Sequence, residues 1–200
     1  MKHNPRFNII IATDIHGGFS YKNKLPWKFV KDSNFYNIIT GSNINLNPNI
    51  LIMGRKTWES MGSSVPKNRI AFVVTSDFEK YNKTYEEKYA NSSGQNGVNS
   101  IKRNLFFFPT FSDALSETSN YDKSIVWVVG GYQIYDEALR HSNCASIYFT
   151  EINGEFKTDR IIDLKTYNIN WSNAHTEVDV NCYDELNYIL CFKKGFIARH

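Results

Sequence analysis

The stretch SIVWVVGGYQIY, Ser124–Tyr135, places five apolar residues in a row, Ile125 to Val129, directly before Gly130 and Gly131. An unbroken apolar run, rather than an alternating one, marks a strand covered on both faces, as in a parallel α/β sheet. The glycine pair then opens into YQIYDEALRH, whose spacing predicts a helix. At such a junction no side chain blocks the backbone amides, and the helix dipole favours negative charge, so the expected ligand is a pyrophosphate. Taken alone, paired glycines serve close strand–helix packing equally well.

Working outward, further strand-like runs are FNIIIAT (7–13), NILIMG (49–54), RIAFVVTS (69–76), NLFFF (104–108) and ASIYFTEI (145–152). Helix candidates alternate with them. KDSNFYNIIT sets Phe35, Ile38 and Ile39 on one face, TWESMG is short, and TFSDALSET is capped by Thr110 or Ser112. NWSNAHTEV and LNYILCFKK are two late strands suited to an antiparallel hairpin. The fold class is α/β, a mixed sheet flanked by helices. Residues 80–103 have almost no aliphatic side chains and cluster Asn, Ser and Gly, so they read as a polar surface insertion, mobile at its centre, in one domain spanning 1–200.

With 200 residues, 42% of them hydrophobic, the chain can bury the core of one domain. Lys and Arg exceed Asp and Glu by only 23 to 20, which points to no nucleic acid and is compatible with anionic small molecules. No apolar run approaches the roughly 18 residues of a membrane-spanning helix, and MKHNPRF lacks the apolar stretch of a secretory signal, so no membrane partner and a cytoplasmic setting are expected. Three cysteines, an odd number without Cys-x-x-Cys spacing, read as free thiols in a reducing compartment. The histidines are scattered without ligand spacing, and no metal is expected.

NILIMGRKTWESMG repeats the strand–glycine–helix logic: Arg55 and Lys56 follow Gly54 at a helix start, with Thr57 placed to bond a phosphate oxygen. GRKT lacks the upstream glycine spacing of a P-loop, which argues against a triphosphate hydrolase. Two helix starts suit a dinucleotide, with Arg55, Lys56, Thr75 and Ser76 around a ribose 2′-phosphate. In KLPWKFVKD, Asp32 is a lone acid beyond a Leu-Pro-Trp corner, and the absence of a second carboxylate argues against most hydrolytic designs.

Together these segments resemble dihydrofolate reductase along nearly the whole chain: IIA in the first strand, LPWKFVKD, LIMGRKTWESM, NRIAFVVTS, VVGGYQIY and YFTEINGEFKTD, in that order. The resemblance implies a mostly parallel eight-stranded sheet with an antiparallel C-terminal strand and about four flanking helices. It implies NADPH-dependent reduction of 7,8-dihydrofolate to 5,6,7,8-tetrahydrofolate, with hydride moving from nicotinamide C4 to pterin C6 and protonation at N5, in support of one-carbon metabolism and thymidylate synthesis. Antifolates become expected ligands, and a fused or associated thymidylate synthase, as in protozoa, an expected partner. Asp32 matches the pocket carboxylate, Thr150 the hydroxyl bonded to it, and Trp27 the residue that holds a water beside it. Ile10, Ile11, Leu25, Tyr36, Met61 and Val129 match the substrate walls, and Arg69 matches the arginine for the folate glutamate carboxylate. Ala12, Phe19, Gly54, Arg55, Lys56, Thr57, Thr75, Ser76, Val129, Gly130, Gly131, Tyr132, Gln133, Ile134 and Tyr135 match the cofactor site.

Burial should raise the pKa of Asp32, while a guanidine-like pterin edge should favour its ionised form. The chain departs from the family pattern where Phe19 and Ser20 follow Gly17-Gly18, at Tyr36 where phenylalanine is common, and at Ser33 beside the acid, which predicts an altered antifolate preference. Of the family's late Asp-Phe-Pro only Asp159 is carried over, as a structural residue. Alternative readings are a pyrimidinone reductase of the riboflavin pathway, against which Leu-Pro-Trp…Asp and Arg69 argue, a basic nucleic-acid-binding domain, and a fold that has lost catalysis.

Overall fold

The computed structural model describes residues 5–41, 47–92, 104–171, 181–185 and 188–197. In chain order its strands are β1 (Phe7–Asp14), β2 (Gly18–Ser20), β3 (Asn49–Gly54), β4 (Arg69–Val74), β5 (Leu105–Phe108), β6 (Val126–Val128), β7 (Cys144–Asn153), β8 (Arg160–Ile161), β9 (Ile169–Trp171), β10 (Asn181–Glu185) and β11 (Tyr188–Ile197). The α-helices are α1 (Val30–Thr40), α2 (Arg55–Ser60), α3 (Phe78–Ser92), α4 (Phe111–Glu117) and α5 (Tyr132–Arg140).

The apolar runs are the parallel strands. Along β1, Ile9 and Ile11 enter one core cluster and Ile10 the other; along β3, Ile50 and Ile52 alternate with Leu51 and Met53 in the same way. Each face therefore needs a helical cover. Phe111 and Ala114 of α4 and Ile134 and Ala138 of α5 belong to one cluster, whereas Trp58 of α2 belongs to the other, with Tyr36 of α1 and Tyr81 and Tyr85 of α3 packed against it.

The sheet runs β10-β11-β7-β1-β6-β3-β4-β5, eight strands in sequence of pairing, with β9 attached to β11 as a ninth. Neighbours from β7 to β5 are parallel, while β11 runs antiparallel to β7 and β10 antiparallel to β11. From β3 the chain steps outward to β5, returns to insert β6 between β3 and β1, and then places β7 beyond β1. That reversal opens a crevice at the carboxyl ends of β1 and β6, where open α/β sheets bind ligands.

Several elements differ from the sequence expectation. β6 spans three residues because Gly130, at φ +110, turns the chain away, although Val129 N still donates to Ile52 O at 3.0 Å. The stretch expected as a loop from residue 80 begins as α3, a fifth helix, with Tyr81 stacked on Phe107 and Tyr85 beside Trp58; residues 93–103 lie outside the described residues. Of the late run 170–178 only its first two residues are described, in β9, and the antiparallel partner of β11 is β10. The expectation of three free thiols is corrected. Cys144 is a buried free thiol, but Cys191 is disulfide-bonded, and the antiparallel register sets Cys182 opposite it. Nine residues of separation closed by a hairpin leave no local spacing motif. Among the described residues no helix is long and apolar enough to cross a membrane.

Candidate active site

The crevice has an acidic wall. Trp27 is buried with its ring 5.2 Å from that of Phe156, and Phe29 lies buried between Phe156 and Tyr188, so the Leu-Pro-Trp corner is fixed by aromatic packing before α1 begins. Phe29, the residue capping α1, offers no side-chain acceptor to the helix. The orphan amides are met instead by Glu185 of β10, whose carboxylate accepts from Val30 N at 2.6 Å and Lys31 N at 2.9 Å. Asp32 follows as the third helical residue. Its carboxyl accepts a hydrogen bond from the side chain of Thr150 on β7, itself only 1% exposed. Burial raises the Asp32 pKa; the Thr150 and Trp27 donors oppose the rise, and the nearby Glu185 charge adds to it. The buried Trp27 N–H lies near enough to the acid to lower its pKa, yet makes no hydrogen bond of ordinary geometry.

The apolar walls divide by strand periodicity. Ile10 and Val129 share one cluster, with Tyr36 and Met61 packed against it. Ile11 points the other way, into the cluster with Phe19, Trp27 and Tyr135, so adjacent Ile10 and Ile11 line different surfaces. Ala12 packs against that second cluster and pairs in register with Thr150, and Leu25 stands 59% exposed at the rim. Ser33 is exposed and turns its hydroxyl back to donate to Phe29 O at 3.0 Å. The Tyr36 hydroxyl is buried and makes no hydrogen bond of ordinary geometry, and burial raises its pKa against the pull of Arg69 and of the nearby Thr40 side chain. Arg69 is itself buried. It caps the end of α1, donating to Asn37 O at 2.7 Å and Thr40 O at 3.2 Å, and also to Lys67 O at 3.2 Å. A guanidinium has five N–H donors, so two are left for a ligand.

Opposite lies a glycine cradle. Gly54 N donates to Gly130 O at 2.7 Å, which brings the starts of α2 and α5 together. A Cβ on Gly131 would stand 3.1 Å from Thr57 Oγ1, and one on Gly54 would have Gly131 N at 3.7 Å, so the space between the two helix starts exists because side chains are missing there. That cradle fits a pyrophosphate. Around it, Lys56, Ser76, Tyr132 and Gln133 are exposed, Thr75 is buried with its hydroxyl accepting from Asp77 N, and Ile134 is buried. Arg55 is already paired with Glu59 at 2.6 Å, which raises its pKa. Phe19 is buried, stacked on Tyr132 and edge-on to Tyr135. Tyr135 joins the two halves: its hydroxyl donates to Ile10 O at 2.8 Å, and its pKa is raised by burial, then by Tyr36 and Asp32.

Two organising acids, Asp14 and Glu185, escaped the sequence reading, whereas Asp159 was expected as a structural residue. Asp14, 2% exposed, accepts from His16 N, Gly18 N and Phe156 N and so holds the loop that carries Phe19. Asp159 supports the same loop by accepting from Lys22 N at 2.8 Å, and Gly18 and Ser20 of β2 pair with β8. Asp14 is indistinguishable in sequence from an ordinary strand end, and Glu185 lies 155 residues from the amide it holds.

A family model described as dihydrofolate reductase matches residues 6–191. The chain is 30% identical to the bifunctional dihydrofolate reductase-thymidylate synthase of Paramecium tetraurelia over 92% of its own length and 34% of that protein. It is 32% identical to the dihydrofolate reductase of Schistosoma mansoni, covering 77% of this chain and 76% of that one, and 27% identical to that of Heliothis virescens, covering 77% of each. The chain thus spans about a third of the Paramecium protein and about three-quarters of the two shorter relatives.

Proposed function

The chain belongs to the dihydrofolate reductase family of oxidoreductases, and from that premise we propose that it reduces 7,8-dihydrofolate to 5,6,7,8-tetrahydrofolate with NADPH. The observation that carries this reading is the placement of Asp32: half-closed in a crevice and held by Thr150, with the neighbouring Glu185 already engaged on the start of α1, it faces a ligand site whose other side is a glycine cradle. NADPH, when bound, supplies the hydride, delivered from nicotinamide C4 to pterin C6. The protein therefore needs neither nucleophile nor second carboxylate; it must orient two planar rings and let a proton reach N5.

Asp32 accepts from pterin N3 and the 2-amino group, and Thr150 fixes the carboxylate for that contact. Because the acid grips the N3 edge, the N5 proton comes through water, with the Trp27 N–H holding one beside the acid. The two remaining N–H donors of Arg69 take the glutamate α-carboxylate of the substrate. Gly130, Gly131, Gln133, Ile134 and Thr57 hold the cofactor pyrophosphate, and Lys56, Thr75 and Ser76 surround the 2′-phosphate. Arg55 joins them through the guanidinium edge that Glu59 leaves open. The product feeds one-carbon metabolism, and a thymidylate synthase, fused or separate, is the partner activity this places beside it.

The test is loss of the NADPH absorbance band with and without dihydrofolate, with NADH in parallel. Dihydrofolate-dependent oxidation with preference for NADPH is expected. Oxidation that ignores dihydrofolate overturns the assignment, and equal use of NADH removes the 2′-phosphate roles.

A further inference from the structure

Two carboxylates meet one helix start in this fold. The first amides of an α-helix carry partial positive charge and no internal partners, so they attract any nearby acid. Asp32, in the first turn of α1, is a natural candidate to fold back onto them. It does not have to: Glu185 already bridges Val30 N and Lys31 N with both carboxylate oxygens. We propose that Glu185 is a positioning residue of the reductase site, which by occupying the start of α1 leaves the Asp32 carboxylate to face Thr150 and the substrate. This inference rests on the reductase reading above.

The geometry gives Glu185 two separable effects on Asp32. One is mechanical. Strand β10 pairs with β11, and β11 pairs with β7, the strand that carries Thr150. The Glu185 bridge therefore ties the first turn of α1 to the same layer of sheet that supplies the partner hydroxyl, fixing the acid relative to Thr150. The other is electrostatic: the Glu185 charge offsets the helix-end field and is among the causes that raise the Asp32 pKa. The other groups that bear on Asp32 are the Thr150 donor of β7, the Trp27 N–H, Tyr36 one turn along α1, and Tyr135 of α5, with Lys28 and Lys31 flanking it in the chain and Arg69 beyond Tyr36. Burial keeps both tyrosines neutral in the pH range of the assay, which leaves Glu185 as the acid whose charge shifts Asp32.

Glu185→Gln removes the charge and keeps an amide oxygen that can accept from one of the two amides. Glu185→Ala removes both effects. In the full chain without ligand, carboxyl NMR should show Asp32 titrating at lower pH in both variants, because a negative neighbour is gone. With substrate, the acid limb of kcat/KM should move to lower pH in Glu185→Gln. Glu185→Ala should raise KM for dihydrofolate roughly fivefold, the effect of losing a helix-end cap, with Glu185→Gln between it and the parent. NADPH affinity, set at the other wall, should stay as in the parent for both variants. An Asp32 titration in Glu185→Gln that coincides with the parent's overturns the proposal, as does a Glu185→Ala variant that melts earlier with the pH limb and KM unchanged. Should Glu185→Ala not fold, the Gln titration decides. The ligand-free titration needs no turnover, so an inactive parent would sink the reductase reading without being confused with failure of the Glu185–Asp32 coupling.

Discussion

Alanine at Gly130 and alanine at Gly131 differ by one position and should fail in different ways. Gly130 sits at φ +110, and a Cβ there would lie 3.0, 3.1 and 3.2 Å from Cε2, Cζ and Oη of Tyr135. That ring cannot retreat, because Tyr135 is 7% exposed and its hydroxyl is tied to Ile10 O. The backbone conformation costs about 1–3 kcal/mol for a residue with a side chain, and overpacking a buried ring costs about 1–3 more. At about 2–4 °C per kcal/mol for a chain of this size, Gly130→Ala should melt roughly 5–20 °C below the parent. Gly131 is at φ −89, and its one close atom is Thr57 Oγ1 at 3.1 Å, so Gly131→Ala should melt within a few degrees of the parent, about 1 kcal/mol or less. Its methyl group nevertheless fills the gap between the starts of α2 and α5. NADPH affinity should fall at least about tenfold, or about 1.4 kcal/mol. Melting scans and NADPH titration by tryptophan fluorescence read both effects. A Gly131→Ala protein that binds NADPH like the parent would refute the cradle as the pyrophosphate site, and a Gly130→Ala protein that melts with the parent would refute the steric reasoning.

Asp32→Asn should lose dihydrofolate-dependent turnover while gaining stability. The folded pKa of Asp32 lies above its unfolded value of about 3.9, so its contribution is most favourable at low pH and is lost as pH rises through the folded pKa. The Asn variant should therefore melt higher than the parent at pH 7, by about 1 kcal/mol, with the gap closing toward pH 4; a gap independent of pH contradicts this. Arg69→Lys keeps the charge but loses the fork that holds Asn37 O, Thr40 O and Lys67 O, and should cost about 1–3 kcal/mol in denaturant melts. It should also raise KM for dihydrofolate by about tenfold, with a smaller effect on a pterin lacking the glutamate; an equal effect on both removes the carboxylate role. Tyr36→Phe deletes a buried hydroxyl that makes no hydrogen bond of ordinary geometry and should leave stability unchanged or raise it by up to about 1 kcal/mol, whereas a clear loss would show that the hydroxyl is bonded in solution.

What could be read from sequence follows from how local its physical cause is. The parallel strands were legible because burial on both faces writes itself into consecutive residues: Ile50, Leu51, Ile52 and Met53 are all fully buried. The glycine cradle was legible because a missing side chain is itself a residue type. Helix α3 was not, because its buried face is built from Tyr81 and Tyr85 against Trp58 and Phe107, with Asn82 bonded to Phe107 O, in a stretch otherwise polar. Aromatic packing onto a sheet edge lacks the aliphatic periodicity that marks a helix. The division of Ile10 from Ile11 needed only strand period, but which face held the site needed the sheet order.

The two helix caps show where local reading stops. Helix α4 is capped by Thr110, whose hydroxyl accepts from Asp113 N three residues on, and that signal is contained in four consecutive residues. Helix α1 begins after Phe29, which cannot cap it, and its local sequence reads as an incomplete start with a lone acid inside. The missing half comes from Glu185, placed there by the register of β10 on β11 and of β11 on β7. An acid that completes a helix near the end of the chain thereby sets the field around an acid near its beginning. Asp32 could be singled out from its own neighbourhood as a lone acid, and only the family resemblance gave it the substrate role proposed above; the charge that helps to raise its pKa could be found only after the sheet had brought residue 185 to residue 30.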